Sequence, residues 1–143
     1  MENQQLYNEL INFNPLNAKK FIFEGLITIA KVYKVYDGDT ISIIFKYNNE
    51  FIRDSCRIAG IDTPELSRCS DEEKQMGYIA RDYLKTLILD KVIKVQFIKP
   101  DKYGRPLINI FLLDEQQTNI NNLMITGGYA VKYNGKGPKS DWV

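Results

Sequence analysis

Residues 32–45 read VYKVYDGDTISIIF and set the pattern for the first half of the chain. The residues on both sides of the Asp37-Gly38 pair are mostly β-branched or aromatic, which favours strands. An Asp-Gly pair between two such runs is a strong signal for a hairpin turn. We therefore predict strand structure within residues 21–35, a turn at the pair, and a returning strand at 40–45.

The chain beyond this hairpin alternates between further strands and two helices. Between residues 71 and 89 the apolar side chains recur at i, i+4, i+7 and i+8, which predicts an amphipathic helix. The other predicted elements are strands at 51–61, 93–97 and 107–113 and a short helix at 120–126. Five strands interrupted by one long helix are typical of a Greek-key barrel of the OB type. The predicted fold class is therefore α+β, mainly β, with one long helix between strands and one short helix.

The length of 143 residues suits a single domain. Residues 1–20 are polar and rich in asparagine, and we expect them to form an N-terminal extension before one OB-fold domain at 21–143. Leu6, Leu10 and Phe13 are roughly helix-spaced, so the extension is either a short helix or a segment that packs loosely on the body.

The composition excludes several classes of enzyme. The chain contains no histidine, which rules out the Ser-His-Asp triad and the HExxH zinc site. Its two cysteines, Cys56 and Cys69, are too few for a four-ligand zinc finger, and we expect Cys56 to pack in the core. Hydrolysis by this chain must therefore rely on carboxylates, arginines, lysines and tyrosines, with a hard metal ion as a further candidate.

Neither the net charge nor the N-terminal sequence decides what the protein binds. With 19 basic and 18 acidic residues, the net charge of +1 neither requires nor excludes a nucleic acid. The first residues lack the basic start and apolar stretch of a signal peptide. No apolar run approaches the roughly 18–20 residues of a membrane-spanning helix. We expect an intracellular monomer with no membrane partner, or a secreted or exported protein if the sequence is part of a longer precursor.

Three short segments carry the residues suited to catalysis: DGDT at 37–40, RIAGIDTPE at 57–65 and DKYGR at 101–105. Each alone is explained by a turn or a strand end. Together they supply two carboxylates that a meander can bring side by side, and such a pair repels unless a cation lies between them. A hard, oxygen-liganded ion suits this set. That ion, two arginines and a free glutamate can together attack a phosphodiester bond.

The three segments, in this order and with a long helix between the second and third, make the chain resemble the staphylococcal nuclease (thermonuclease-like) family. The resemblance runs from about Ala30 to Tyr133. It implies an OB-fold that cleaves DNA and RNA in a calcium-dependent reaction. Tyr133 is a further candidate, since its ring can stack on a base.

The resemblance also implies a metal site and a general base. Asp39 and Asp62 match the family's metal-binding carboxylates, and Thr63 matches the residue whose backbone carbonyl binds the same ion. Glu65 matches the proposed general base, which activates or orients the attacking water. Mg²⁺ or Mn²⁺ is an alternative to Ca²⁺, because two carboxylates and a carbonyl make a weak calcium site.

The remaining matched residues face the phosphates. Arg57 and Arg105 match the two arginines that hold the phosphate and stabilise its charge in the transition state. Lys102 and Tyr103 match residues that contact a neighbouring phosphate. A guanidinium suits the first role, because it offers planar, bidentate donors and stays charged near neutral pH.

The leading hypothesis from the sequence is a metal-dependent endonuclease that hydrolyses phosphodiester bonds in DNA, with RNA as a second candidate substrate; the sequence leaves the choice between them open. The alternative is a non-catalytic nucleic-acid-binding module of the same fold, since some domains of this type have lost catalytic residues. A structural or inhibitor-like role is a third hypothesis, which no motif in the chain favours.

Overall fold

The computed structural model describes residues 2–18, 22–135 and 142 of the chain. Its helices and strands, in chain order, are α1 (Glu2–Asn12), β1 (Ile27–Val35), β2 (Thr40–Tyr47), β3 (Glu50–Ile58), β4 (Ile61–Asp62), α2 (Asp71–Ile88), β5 (Val92–Ile98), β6 (Leu107–Phe111), α3 (Ile120–Thr126) and β7 (Val131–Lys132). A single 3₁₀ turn at Pro15–Asn17 follows α1.

Five of the strands close into a barrel. They follow one another in the order β1, β2, β3, β6 and β5, and β5 pairs back onto β1. All neighbours are antiparallel except β3 and β6, which run parallel. This closed mixed barrel with its helices confirms the predicted fold class, α+β and mainly β of the OB type.

The core fills the barrel with alternate residues of its strands, as the period of two requires. The inward positions are almost fully buried, and they include Ile41, Ile43, Ile93, Val95, Ile108 and Ile110. The long helix α2 closes one side of the barrel with Ala80, Leu84 and Ile88, which are spaced at i, i+4 and i+8. Cys56 is 1% exposed and lies in this core, as predicted.

The long helix also begins where the sequence indicates. The Ser70 side chain accepts a hydrogen bond from the Glu73 N–H at 3.1 Å and caps the first turn. Three acidic residues follow in that turn, where the helix dipole favours negative charge. The helix ends at Ile88, one residue before the predicted end, because Leu89 already has an extended backbone.

Three predicted strands are longer than the observed ones, and the other two are slightly shorter. The strand structure predicted within 21–35 begins at Ile27, because a turn precedes it and the Gly25 N–H donates to the carbonyl of Phe97. The strand predicted at 51–61 is divided into β3 and β4, and β4 pairs with β7 in a separate two-stranded sheet. The strand predicted at 107–113 ends at Phe111, since Leu112 already donates to the loop residue Thr118.

The N-terminal segment forms a helix, which was one of the two alternatives predicted. None of the α1 residues is buried, and the apolar side chains of Leu6, Leu10 and Phe13 are all exposed. The boundary between the N-terminal extension and the OB-fold domain at residue 20 stays a prediction, since residues 19–21 lie outside the described ranges. Within those ranges, no helix has the length and apolarity that crossing a membrane demands.

Candidate active site

The hairpin turn between β1 and β2 carries the first acidic residues of the site. The Asp37 Oδ1 atom accepts a hydrogen bond from the Asp39 N–H at 3.0 Å, which closes the turn. Gly38 lies against Thr63, because a Cβ at position 38 would be 2.8 Å from the Thr63 Cγ2 atom. The first and second sequence segments therefore pack directly on each other.

Arg57, at the end of β3, lies between the two predicted metal-binding carboxylates. Its Nη2 atom is 3.5 Å from Asp39 Oδ2 and 3.7 Å from Asp62 Oδ1, and it donates a hydrogen bond to the Ile61 carbonyl at 3.1 Å. Arg57 is 7% exposed and Asp62 is fully buried. The pairing of Thr40 with Arg57 across β2 and β3 explains why Asp39 reaches the same place.

Asp37 is a further acidic residue of this cluster, predicted from the sequence only as part of a turn. It is buried, and burial together with the negative charges of Asp39 and Glu65 raises its pKa from 3.8 to about 7. Its position as the first acidic residue of the DGDT motif is the sequence feature that could have identified it as a site residue. At neutral pH this carboxyl is therefore poised between its neutral and ionised forms.

The donor set fits a hard divalent cation. Asp39 and Asp62 offer carboxylate oxygens, and the adjacent Thr63 is 2% exposed. The Thr63 Oγ1 atom is buried and has no hydrogen-bond partner among the described residues. No group of three His, Cys, Asp or Glu side chains in the described ranges has the geometry of a metal site. The expected set of two carboxylates and a carbonyl differs in kind from such a group, and its all-oxygen chemistry suits Ca²⁺, Mg²⁺ or Mn²⁺.

Glu65 lies on the loop after β4, on the Asp37 side of the cluster. Its backbone N–H donates to Glu73 Oε2 at 2.9 Å, and its carbonyl accepts a hydrogen bond from the Cys69 Sγ atom at 3.3 Å. These bonds tie the loop to the start of α2 and give Cys69 a local partner. Glu65 is partly exposed, and its charge is close enough to act on the carboxyl of Asp37.

A cleft of about 380 Å³ joins Arg57 to the third sequence segment. Its lining includes Lys102, Tyr103 and Arg105, so four of the predicted residues share one surface depression. Tyr103 is 75% exposed, and the Lys102 Nζ atom lies 5.2 Å from the centroid of its ring. Three cations and an exposed ring in one cleft are suited to a phosphate and the base beside it.

Asp101, which is not among the predicted site residues, holds the turn that presents Arg105. Asp101 Oδ1 accepts from the N–H groups of Tyr103 and Arg105, each at 2.9 Å, and Oδ2 accepts from Arg105 Nε at 2.7 Å. Partial burial acts to raise the pKa of Asp101, but these hydrogen bonds outweigh it and lower the pKa below its ordinary value. The carboxylate of Asp101 thus holds the guanidinium of Arg105, which lies four residues later, in a fixed position.

Tyr133 reaches the same cleft by a route that the sequence did not predict. Its N–H donates to the Gly60 carbonyl at 2.9 Å, directly after the short β4–β7 pairing. The Tyr133 ring centroid lies 5.7 Å from the Arg57 Cζ atom, within the range of a cation–π contact. A two-residue strand such as β7 is too short to give a recognisable alternation in the sequence.

Comparison with known proteins gives a consistent group of relatives. Residues 55–141 match the family model described as staphylococcal nuclease homologue. An uncharacterized endonuclease of Escherichia coli O157:H7 is 30% identical over 117 residues, which cover 79% of this chain and 69% of the relative. A micrococcal nuclease of Shigella flexneri is 32% identical over 118 residues, or 78% of this chain and 62% of the relative. A thermonuclease of Staphylococcus hyicus is 30% identical over 84 residues, or 57% and 47%.

Proposed function

Since the chain belongs to the staphylococcal nuclease family, we propose that it is an endonuclease that hydrolyses phosphodiester bonds in DNA and RNA with a divalent cation. The observation that carries the proposal is the buried Arg57 between Asp39 and Asp62, at one end of a cleft that Lys102 and Arg105 also line. A buried cation beside two carboxylates and an open cationic cleft is an arrangement suited to a charged phosphate.

The cation would be held by the carboxylates of Asp39 and Asp62 and by the backbone carbonyl of Thr63. When bound, such an ion stabilises negative charge on a phosphoryl oxygen as a Lewis acid. We propose Ca²⁺ first, with Mg²⁺ and Mn²⁺ as the alternatives that the digestion experiment below separates.

The two arginines would hold the phosphate from different environments. Arg57 is buried, and donors in a water-poor site stabilise developing charge more strongly than donors in water. Arg105 is about half exposed, and its Nε atom is bonded to Asp101. Its terminal NH₂ groups are therefore the donors left for a phosphate oxygen.

Glu65 would accept the proton of the attacking water. Its place on a loop tied to α2, beside Asp37, keeps the carboxylate next to the acidic residues that would hold the cation. Lys102 and Tyr103 would contact the next phosphate along the strand, because both are exposed on the outer part of the cleft. Contacts of this kind bind the backbone and are insensitive to sequence.

Digestion of plasmid and single-stranded DNA tests the proposal. Parallel reactions contain Ca²⁺, Mg²⁺, Mn²⁺ or a chelator, and each is run with the unmodified protein, Glu65→Gln and Glu115→Gln. Glu115 is an exposed loop residue and serves as the matched control. We expect metal-dependent cleavage that Glu65→Gln abolishes and Glu115→Gln preserves. Binding without cleavage under every metal would instead identify a non-catalytic nucleic-acid-binding module.

A further inference from the structure

A second cationic cleft lies between the end of β1 and the outer face of α2. It has a volume of about 490 Å³. Among the described residues, three tyrosines and three basic residues contribute to its lining, and no acidic residue does: Tyr33, Lys34, Tyr36, Tyr78, Arg81 and Lys85. We call this surface the tyrosine cleft.

A β-bulge builds the β1 wall of the tyrosine cleft. The register between β1 and β2 shifts between Val32 and Lys34. Alternation is broken there, so that Tyr33 and Lys34 are both exposed while Val32 and Val35 are both buried. A bulge costs ladder hydrogen bonds and redirects side chains, and such features are common beside functional sites.

The α2 wall is one face of the helix. Tyr78, Arg81 and Lys85 are spaced at i, i+3 and i+7, which places them in one row. The Arg81 Cζ atom lies 4.7 Å from the centroid of the Tyr78 ring. Within the described residues, neither Lys34 nor Lys85 forms an ion pair, so both ammonium groups are available to an anion.

The tyrosine cleft adjoins the carboxylate cluster along the chain at two points. Tyr36 immediately precedes Asp37, and Leu66, which also lines the cleft, immediately follows Glu65. The first cleft, which Lys102, Tyr103 and Arg105 line, lies on the side of the cluster where Arg57 meets the 101–105 turn. The two clefts thus lead away from the same cluster, one through Arg57 and one through Tyr36 and Leu66.

We propose that the tyrosine cleft binds the part of a single-stranded polynucleotide that extends beyond the reacting phosphate. Lys34 and Lys85 would contact backbone phosphates, and the ring of Tyr33, which is 42% exposed, would stack on a base. A cationic groove with interleaved aromatic rings is the arrangement that single-strand binders use. The inference rests on the proposed nuclease function and adds a site that only long substrates reach.

The charged contacts are tested with the double variant Lys34→Gln/Lys85→Gln. Its affinity for a 20-nucleotide single strand is measured by fluorescence anisotropy in chelator over a range of salt concentrations. Loss of two phosphate contacts should make the slope of log K against log salt shallower by about 1.4 and weaken binding about tenfold. The matched control, Lys46→Gln/Lys91→Gln, removes two exposed lysines that line neither cleft.

The stacking contact is tested with Tyr33→Leu in the same assay. We expect affinity to fall about fivefold or more with an unchanged salt slope, since the variant removes a ring and no charge. Cleavage of a dinucleotide should stay within twofold of the unmodified protein in all these variants, whereas the KM for the 20-nucleotide strand should rise.

The two proposals fail in different ways. If the unmodified protein does not cleave the 20-nucleotide strand with any metal, the nuclease function itself is overturned, whether or not the strand is bound. If it cleaves that strand but the Lys34→Gln/Lys85→Gln slope equals that of the control variant, the tyrosine cleft alone is overturned. Equal losses on the dinucleotide and the long strand would also overturn it, because a site reached only by long substrates cannot affect a short one.

Discussion

The side chain of Asn121 joins α3 to Ala59, which directly follows the strand that carries Arg57, by a hydrogen bond from its Nδ2 atom to the Ala59 carbonyl at 2.9 Å. Its Oδ1 atom accepts from the Ile110 N–H at 3.0 Å. Asn121 is 6% exposed, so both backbone groups are satisfied inside the protein and away from water. One amide thus fixes the helix and two strands at the base of the site.

Asn121→Ala should lower the free energy of unfolding by about 2–3 kcal/mol, because it leaves a buried carbonyl and a buried N–H without partners. Urea denaturation measures the change. Asn122→Ala, at the exposed neighbouring position, should stay within about 0.5 kcal/mol of the unmodified protein. Equal effects of the two substitutions would show that the Asn121 bonds contribute nothing specific.

Arg57→Lys should lower kcat by at least about 10²-fold, because lysine keeps the charge but loses the planar, forked donors. The measurement is steady-state cleavage of single-stranded DNA with the preferred metal. Arg53→Lys is the control, since Arg53 lies on the same strand and is exposed. A kcat within threefold of the unmodified value would remove Arg57 from the proposed mechanism.

Asp37→Asn should make the metal-free protein more stable at pH 8 and leave its stability almost unchanged at pH 4. The folded state raises the pKa of Asp37 to about 7 from 3.8. Between these values the folded chain therefore holds more protons than the unfolded chain, and the contribution of Asp37 to stability falls as the pH rises. Over the full pH range, the contribution of Asp37 to the free energy of unfolding changes by an amount on the order of 4 kcal/mol.

Urea denaturation in chelator at several pH values measures this difference between Asp37→Asn and the unmodified protein. Comparing the two chains cancels the contributions of carboxylates that do not interact with Asp37. A difference that does not change between pH 4 and pH 8 would contradict the raised pKa. Asparagine keeps an oxygen that can accept the bond from the Asp39 N–H, so the turn itself is preserved.

The sequence was sufficient for the barrel because local pattern and final burial agree there. Residues 40–45 alternate as a strand must, and Ile41 and Ile43 are fully buried as a result. It was insufficient for β4 and β7, whose two-residue pairing is set by tertiary packing and leaves no period to detect. The start of β1 was also predicted too early. Phe23 and Leu26 are apolar because they pack against the core, but their backbone forms a turn and not a strand.

The predicted site residues came from motifs, and the structure adds the partners that the motifs do not reveal. The raised pKa of Asp37 requires knowledge that Asp39 and Glu65 are near it in a buried place. The tyrosine cleft required the bulge between Val32 and Lys34, because strict alternation would turn one of Tyr33 and Lys34 inward. Both features depend on contacts between distant segments or on a break in periodicity.

Asp101→Ala should reduce kcat/KM for single-stranded DNA about tenfold by releasing Arg105. The carboxylate of Asp101 accepts three hydrogen bonds from the turn, two of them from Arg105. Without it the guanidinium must be ordered when the substrate binds, and ordering a long side chain lowers affinity. Asp101 is therefore a positioning residue, and its effect should pass through the arginine.

A double-mutant cycle separates this role from a general loss of structure. If Asp101 acts through Arg105, then Asp101→Ala should cost much less in an Arg105→Ala background than in the unmodified protein. Asp114→Ala is the control, because Asp114 accepts comparable bonds from Thr118 in a turn away from the cleft. Equal costs of Asp101→Ala in both backgrounds would mean that Asp101 affects cleavage without Arg105. In that case the ion pair at 2.7 Å would have no part in presenting the guanidinium to the phosphate.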